Sequence, residues 1–326
     1  MGNSTHGMGY YTKLFLMVAG TMMALSGCGL ALGTGNTPGE KQNPSMTTHK
    51  ATRITIAAQD FSEPLIDDYI LAEYIQAKTP LKVTVKSTSG ASGLLHSMML
   101  KNNIQMFVGY DGTEFTGPLG QSYTGKFKGR PDLVSQYVVR EEKKRWNIWV
   151  SPALGYEDTY ALAVLAETAK KDHLSTVSSA VHYAKNWVLA TDNTFQVRKG
   201  DGLTDFEQTY GIHFKQVRAM TYDLMYPALA KGAVDAAMVY STDGRLKKLH
   251  EVPLTDDKAF FPPYHAVVLI NGDVESAWHL GQILKPLWGA ISTAEQTSMN
   301  YEVDVLKKDP KVVAHEFLIK HGFLKD

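Results

Sequence analysis

Arg53-Ile54-Thr55-Ile56-Ala57-Ala58 leads through Gln59-Asp60-Phe61-Ser62-Glu63 into Pro64-Leu65-Ile66, and this passage decides the fold. The first run reads as a strand and the polar stretch after it as a loop. Pro64 opens a helix, because its fixed φ suits a first helical turn. Leu65, Tyr69, Leu71, Ala72 and Ile75 then recur at helical spacing to about Lys78. Leu81-Lys82-Val83-Thr84-Val85 alternates as a strand does. Ser89 to Gly93 leads into a second helix through Leu94, Leu95, Met98 and Met99, and Ile104 to Val108 is a third apolar run. Strand, helix, strand, helix, strand is the pattern of a mostly parallel α/β sheet.

A second series of the same kind begins near Tyr160. Strands are expected at Tyr160–Ala166, Trp187–Ala190, Phe214–Met220 and Val234–Tyr240. Between them fall a loop and short helix at His173–Ala180 and helices at Gly202–Tyr210 and Leu224–Lys231. Tyr264–Ile270 reads as a returning strand. Long helical patterns follow at Val274–Ser292 and Val312–His321, with a shorter helix and turn between Thr293 and Asp304. Two α/β lobes with a C-terminal return fit a clamshell, with a ligand held between the lobes beside the carboxyl ends of strands. Lobe 1 is expected to comprise 53–157 and 262–326, and lobe 2 to comprise 158–261. No solenoid-type repeat is visible.

Composition narrows the function. The chain has 33 Lys and Arg against 33 Asp and Glu, so nothing marks it for nucleic acid, whose phosphates call for clustered cations. Its single cysteine, Cys28, closes Leu25-Ser26-Gly27-Cys28 after the apolar run Leu14–Leu25. That run is long enough for a signal peptide and short for a bilayer span. The arrangement resembles the lipobox of bacterial lipoproteins. It implies a signal peptide at 1–27, a lipid-anchored Cys28 and an extracytoplasmic protein tethered to the outer face of the cell membrane. Residues 28–52, rich in Gly, Thr, Asn, Pro and Lys, read as a flexible tether. No intramolecular disulfide is possible with one cysteine. About 270 residues remain after the tether, enough for two lobes with their own core.

Among 16 tyrosines, four stand out by location. Tyr110 follows the strand ending at Val108, and Tyr160 opens the second series. Tyr240 ends a strand, and Tyr264 closes Phe260-Phe261-Pro262-Pro263-Tyr264 at the return crossover. Aromatic faces converging on one point attract a cation without offering it a carboxylate. Each such contact contributes about 0.5–2 kcal/mol. A quaternary ammonium has no N–H to donate and suits π faces. Each tyrosine taken alone is as easily a core residue with its hydroxyl satisfied. Tyr156 rivals Tyr160, and Tyr226 is expected to pack its helix on the sheet.

The chain resembles the substrate-binding lipoproteins of osmoprotectant ABC importers, which take up glycine betaine, carnitine, choline and related quaternary ammonium compounds. The resemblance runs from Arg53 to Asp326. It is strongest at Tyr240-Ser241-Thr242-Asp243-Gly244-Arg245 and at Asp256-Asp257-Lys258 followed by Phe260-Phe261-Pro262-Pro263-Tyr264. Asp158-Thr159-Tyr160-Ala161-Leu162, Tyr226-Pro227-Ala228-Leu229 and Asn300-Tyr301-Glu302-Val303-Asp304 support it. It implies a type II periplasmic-binding-protein-like clamshell, each lobe a mixed, mostly parallel sheet flanked by helices. It implies further that Tyr110, Tyr160, Tyr240 and Tyr264 form an aromatic cage and that Thr113 holds the ligand's polar tail. Gln59 takes a place where relatives often carry lysine or glutamine. Arg198 aligns with an arginine that meets a carboxylate in some relatives. Glutamine in place of lysine at position 59 removes one positive charge and favours a choline-tolerant pocket. The implied partners are a permease with its ATPase, and the implied state is a monomer.

Other chemistries find little in the residues. Gly90-Ala91-Ser92-Gly93 lacks the spacing of a nucleophile elbow. No P-loop is present, and His250-Glu251 lacks a second histidine. The 11 histidines show no metal-ligand spacing. No catalytic residue, cofactor or metal is expected. The alternative, an enzyme or a ligand sensor acting on the same class of compound, needs a nucleophile, a cofactor or a later membrane span.

Overall fold

The computed structural model describes residues 52–88, 90 and 92–325. The expected signal peptide, Cys28 and the tether up to residue 51 lie outside the described residues. The fold contains two five-stranded sheets. Their strands are β1 (Arg53–Ala58), β2 (Lys82–Ser87), β3 (Met106–Tyr110), β4 (Ile148–Val150), β5 (Tyr160–Leu165), β6 (Val188–Thr191), β7 (Gln216–Ala219), β8 (Ala236–Tyr240), β9 (Glu251–Pro253) and β10 (Ala266–Asn271).

The first sheet runs β2-β1-β3-β10-β4 and the second β7-β6-β8-β5-β9. Both are mixed and share one plan. In the first, β1 pairs parallel with β2 and β3, while β10 is antiparallel to β3 and β4. In the second, β6 pairs parallel with β7 and β8, while β5 is antiparallel to β8 and β9. The antiparallel member of each sheet is the strand that has just arrived from the other sheet. It therefore starts where its parallel neighbour ends.

Central strands β3, β5, β8 and β10 are buried almost throughout and read as continuous apolar runs, whereas the edge strand β2 alternates. The helix Ser62–Lys78 lays Ile66, Ile70, Leu71 and Ile75 into the core and also packs against the helix Pro310–Lys320. The chain crosses to the second sheet between β4 and β5 and returns between β9 and β10. The two crossings pair with each other. Asp158 N–H donates to Tyr264 O at 3.1 Å, and Ala266 N–H to Tyr156 O at 3.2 Å.

The helix expected within His173–Ala180 lies at Val177–Ala184, and among the long helical stretches two differ from expectation. The pattern expected over Val274–Ser292 breaks into Gly272–Trp278, Leu280–Ile283 and a 3₁₀ turn at Lys285–Leu287. His279, at φ 52°, interrupts the backbone, and Pro286 denies the next turn its N–H. A helix at Pro131–Trp146 was not anticipated. Pro131 sits at its start and Asn147 ends it in the left-handed region, where asparagine is tolerated.

Candidate functional site

Strand pairing builds the site. Because β5 begins where β8 ends, Tyr160 and Tyr240 are direct cross-strand partners. Their ring centroids lie 4.9 Å apart and their hydroxyls 3.3 Å apart. The same geometry in the first sheet sets Ala266, two residues after Tyr264, opposite Tyr110. Tyr264 meets Tyr160 edge-on at 6.2 Å. All four tyrosines line one cavity of about 730 Å³, as do Gln59, Thr113 and Arg198. Each candidate ligand residue of the resemblance thus reaches the same space. Tyr156 does not line it; this hydroxyl donates to Asp67 Oδ2 in the core.

Two rings beside Tyr240 escaped the sequence reading. Phe61 stacks on Tyr240 at 5.5 Å with 20° between planes, and Tyr222 lies 4.9 Å from Tyr240 and 6.0 Å from Phe61. Both line the cavity. Phe61 sits in the loop after β1 and Tyr222 opens the helix after β7, so each follows a strand. That position was the available signal. Tyr226 packs its helix on the sheet as expected, its hydroxyl donating to Tyr222 and accepting from the Tyr240 N–H.

The four tyrosines themselves bring no charge to the cavity. Burial pushes the Tyr110, Tyr160, Tyr240 and Tyr264 phenols above their ordinary range, so they stay neutral at physiological pH. Tyr110 is held by its hydroxyl, which donates to Glu63 Oε1 at 2.7 Å. Glu63 also accepts from Thr242 at 2.6 Å and Asn300 at 2.7 Å, tying the helix after β1 to the loop after β8. Burial raises the Glu63 pKa and these three donors oppose the rise. Close approach matters here too. A Cβ at Gly112 would stand 2.1 Å from the Pro263 carbonyl, so glycine lets the helix Asp111–Thr116 lie against the return crossover before Tyr264.

Among the described residues, Arg198 is the one arginine on the wall. Its guanidinium carbon lies 5.6 Å from the Tyr160 ring centroid, and Nη1 is 3.3 Å from Asp201 Oδ2. Asp201 is fully buried and also accepts from Tyr264 at 2.7 Å and Thr116 at 3.2 Å. This pairing cancels a positive charge that would otherwise repel a cation from Tyr160. Asp60 and Asp192 bring carboxylates to the wall. Asp192 caps a helix through Oδ1, and its buried Oδ2 has no partner among the described residues. Asp158 also reaches the wall, and burial followed by the Glu63 charge pushes its carboxyl well up. Gln59 Nε2 is likewise buried without a partner, leaving an amide donor beside the cavity.

The family described as the substrate-binding domain of ABC-type glycine betaine transport systems matches residues 52–320. The chain belongs to this family. It is 33% identical over 284 residues to the carnitine transport binding protein OpuCC of Listeria monocytogenes, a match covering 86% of this chain and 91% of that one. A glycine-betaine-binding protein of Pseudomonas aeruginosa is 27% identical over 291 residues, covering 85% and 90%. A crystal structure of a glycine betaine/carnitine/choline ABC transporter protein superposes with a TM-score of 0.71 at 35% identity, covering 83% of this chain and 99% of that one. Substrate-binding proteins of ABC importers work outside the cytoplasm beside a membrane permease and its ATPase. Among the described residues, no helix is long and apolar enough to cross a membrane.

Proposed function

We propose that this substrate-binding protein captures small quaternary ammonium osmoprotectants, namely glycine betaine, carnitine and choline, in an aromatic cage between its two sheets. The observation that carries the proposal is the convergence of Tyr110, Tyr160, Tyr240, Tyr264, Gln59, Thr113 and Arg198 on one cavity. Neutral phenol faces supply the attraction for a methylated onium head. Four contacts at about 0.5–2 kcal/mol each give a gross 2–8 kcal/mol before the costs of ordering. Thr113, the free amide of Gln59 and Arg198 read the tail. Arg198 is already engaged by Asp201, and Gln59 carries no charge, so a carboxylate on the ligand is welcome but not required.

Residues 1–27 act as the signal peptide, Cys28 carries the lipid anchor and 28–52 is the tether. Residues 53–157 with 262–326 move as one lobe and 158–261 as the other. A ligand touching both favours the closed form through its differential affinity. The closed monomer delivers the solute to the permease.

A calorimetric panel of glycine betaine, carnitine, choline and proline betaine tests the proposal. At least one binds the wild type, and Tyr240→Ala weakens that binding by about 1 kcal/mol or more, roughly fivefold, while the protein stays folded. Unchanged affinity in the folded variant would remove Tyr240 from the cage.

A further inference from the structure

We propose that His96, Glu114 and Glu142 form a binding site for one divalent transition-metal ion, with Zn²⁺ as the representative. The three side chains come from three helices, Ser92–Leu100, Asp111–Thr116 and Pro131–Trp146, which is why no ligand spacing shows in the sequence. One ligand atom from each lies within 4.8 Å of the others, and His96 Nε2 is 3.1 Å from Glu142 Oε2. Donors about 2.1 Å from a shared zinc stand roughly 3.0–3.4 Å apart. The His–Glu pair already has that separation, and carboxylate torsions close the remainder.

Burial makes the cluster unusual. His96 is 4% exposed, and Glu114 and Glu142 are fully buried. Both oxygens of Glu114 and Oε1 of Glu142 have no hydrogen-bond partner among the described residues. Buried carboxylate oxygens rarely stay unpaired, because leaving water without a partner costs several kcal/mol. A protonated His96 would satisfy one oxygen of Glu142 and none of Glu114. A dication cancels both carboxylate charges and engages all three residues. One imidazole suits borderline Zn²⁺, and two carboxylates suit it and the harder Mn²⁺. His96 and Trp146, whose rings meet edge-on at 4.6 Å, reach the wall of the ligand cavity and give an ion a route in. Bound there, the ion pins the helix that carries Thr113 to the two helices behind it. The competing occupant is a single proton on Glu114, whose carboxyl burial and the nearby Glu142 push well up.

The test uses untagged protein dialysed against Zn²⁺, desalted and assayed for metal. Wild type retains about one ion per chain. Glu114→Gln and His96→Ala retain at least tenfold less, and EDTA lowers the wild-type melting midpoint but not theirs. Wild type holding no more zinc than the variants, or a midpoint indifferent to EDTA, would overturn the proposal in favour of a shared proton. Should both variants fail to fold, anomalous diffraction from zinc-loaded wild-type crystals decides. A peak between His96, Glu114 and Glu142 upholds the site, and density without such a peak refutes it.

Discussion

Arg198 and Asp201 show how single residues set the character of the cavity. A guanidinium against the Tyr160 face competes with any incoming cation unless its charge is cancelled, and Asp201 cancels it at 3.3 Å. Asp201→Asn should therefore weaken choline binding by about threefold more than glycine betaine binding, because only betaine brings a carboxylate for the released arginine. Equal losses in calorimetry would deny Arg198 its part in reading the tail. Gln59→Lys acts in the same sense. It replaces the Gln59 amide with a cation at the cavity wall and should shift preference toward betaine over choline; a shift toward choline would contradict the placement of Gln59. The cavity residues were legible in the sequence wherever a residue ended or began a strand, since strand ends face the cleft in this class of fold. Asp201, Phe61 and Tyr222 were not. Phe61 and Tyr222 follow strands without ending them, and their parts, like that of Asp201, depend on which rings and charges the tertiary structure sets beside them.

Elements differ in how openly they declare themselves. The central strands are apolar enough to read directly. The helix Pro131–Trp146 buries Val134, Val138 and then Glu142, so its inward stripe passes into an acid and its remaining length is charged. Periodicity of apolar residues cannot register such a helix. The helix Ser62–Lys78 carries a related feature that bears on stability. Glu63, Asp67 and Asp68 are all buried on it. Both carboxylate oxygens of Asp68 lack a hydrogen-bond partner among the described residues. Burial first, then the Asp67 charge, pushes the Asp68 carboxyl well above its ordinary value of 3.8. The folded state therefore keeps a proton that the unfolded chain releases. Stability from this group is complete below the unfolded pKa and falls as pH rises toward the folded one. Asp67 and Glu63 are raised as well and act in the same direction. Asp68→Asn should flatten this slope. Its melting midpoint should exceed wild type by about 2 °C or more at pH 8 and differ less near pH 4.5. Parallel midpoint curves for the two proteins would show that Asp68 is not the group responsible.

At the scale of the whole folded unit, the two crossings and the contacts across the cavity make both sheets contribute to one cavity wall. Tyr110 belongs to the first sheet, Tyr160 and Tyr240 to the second, and Tyr264 to the return crossing. Thr116 of the first sheet's flanking helix reaches Asp201 at 3.2 Å, and Phe61 stacks across on Tyr240. A cavity of about 730 Å³ equals roughly two dozen waters at ~30 Å³ each. The central claim is that neutral rings recognise positive charge rather than mere bulk. The direct measurement is a calorimetric comparison of choline with 3,3-dimethylbutan-1-ol, its uncharged carbon isostere, on the wild-type protein. The account predicts that choline binds at least about tenfold more tightly, the effect of roughly 1.4 kcal/mol from the cation–π contacts. Equal affinity for the two, or no binding by any quaternary ammonium compound, would contradict it.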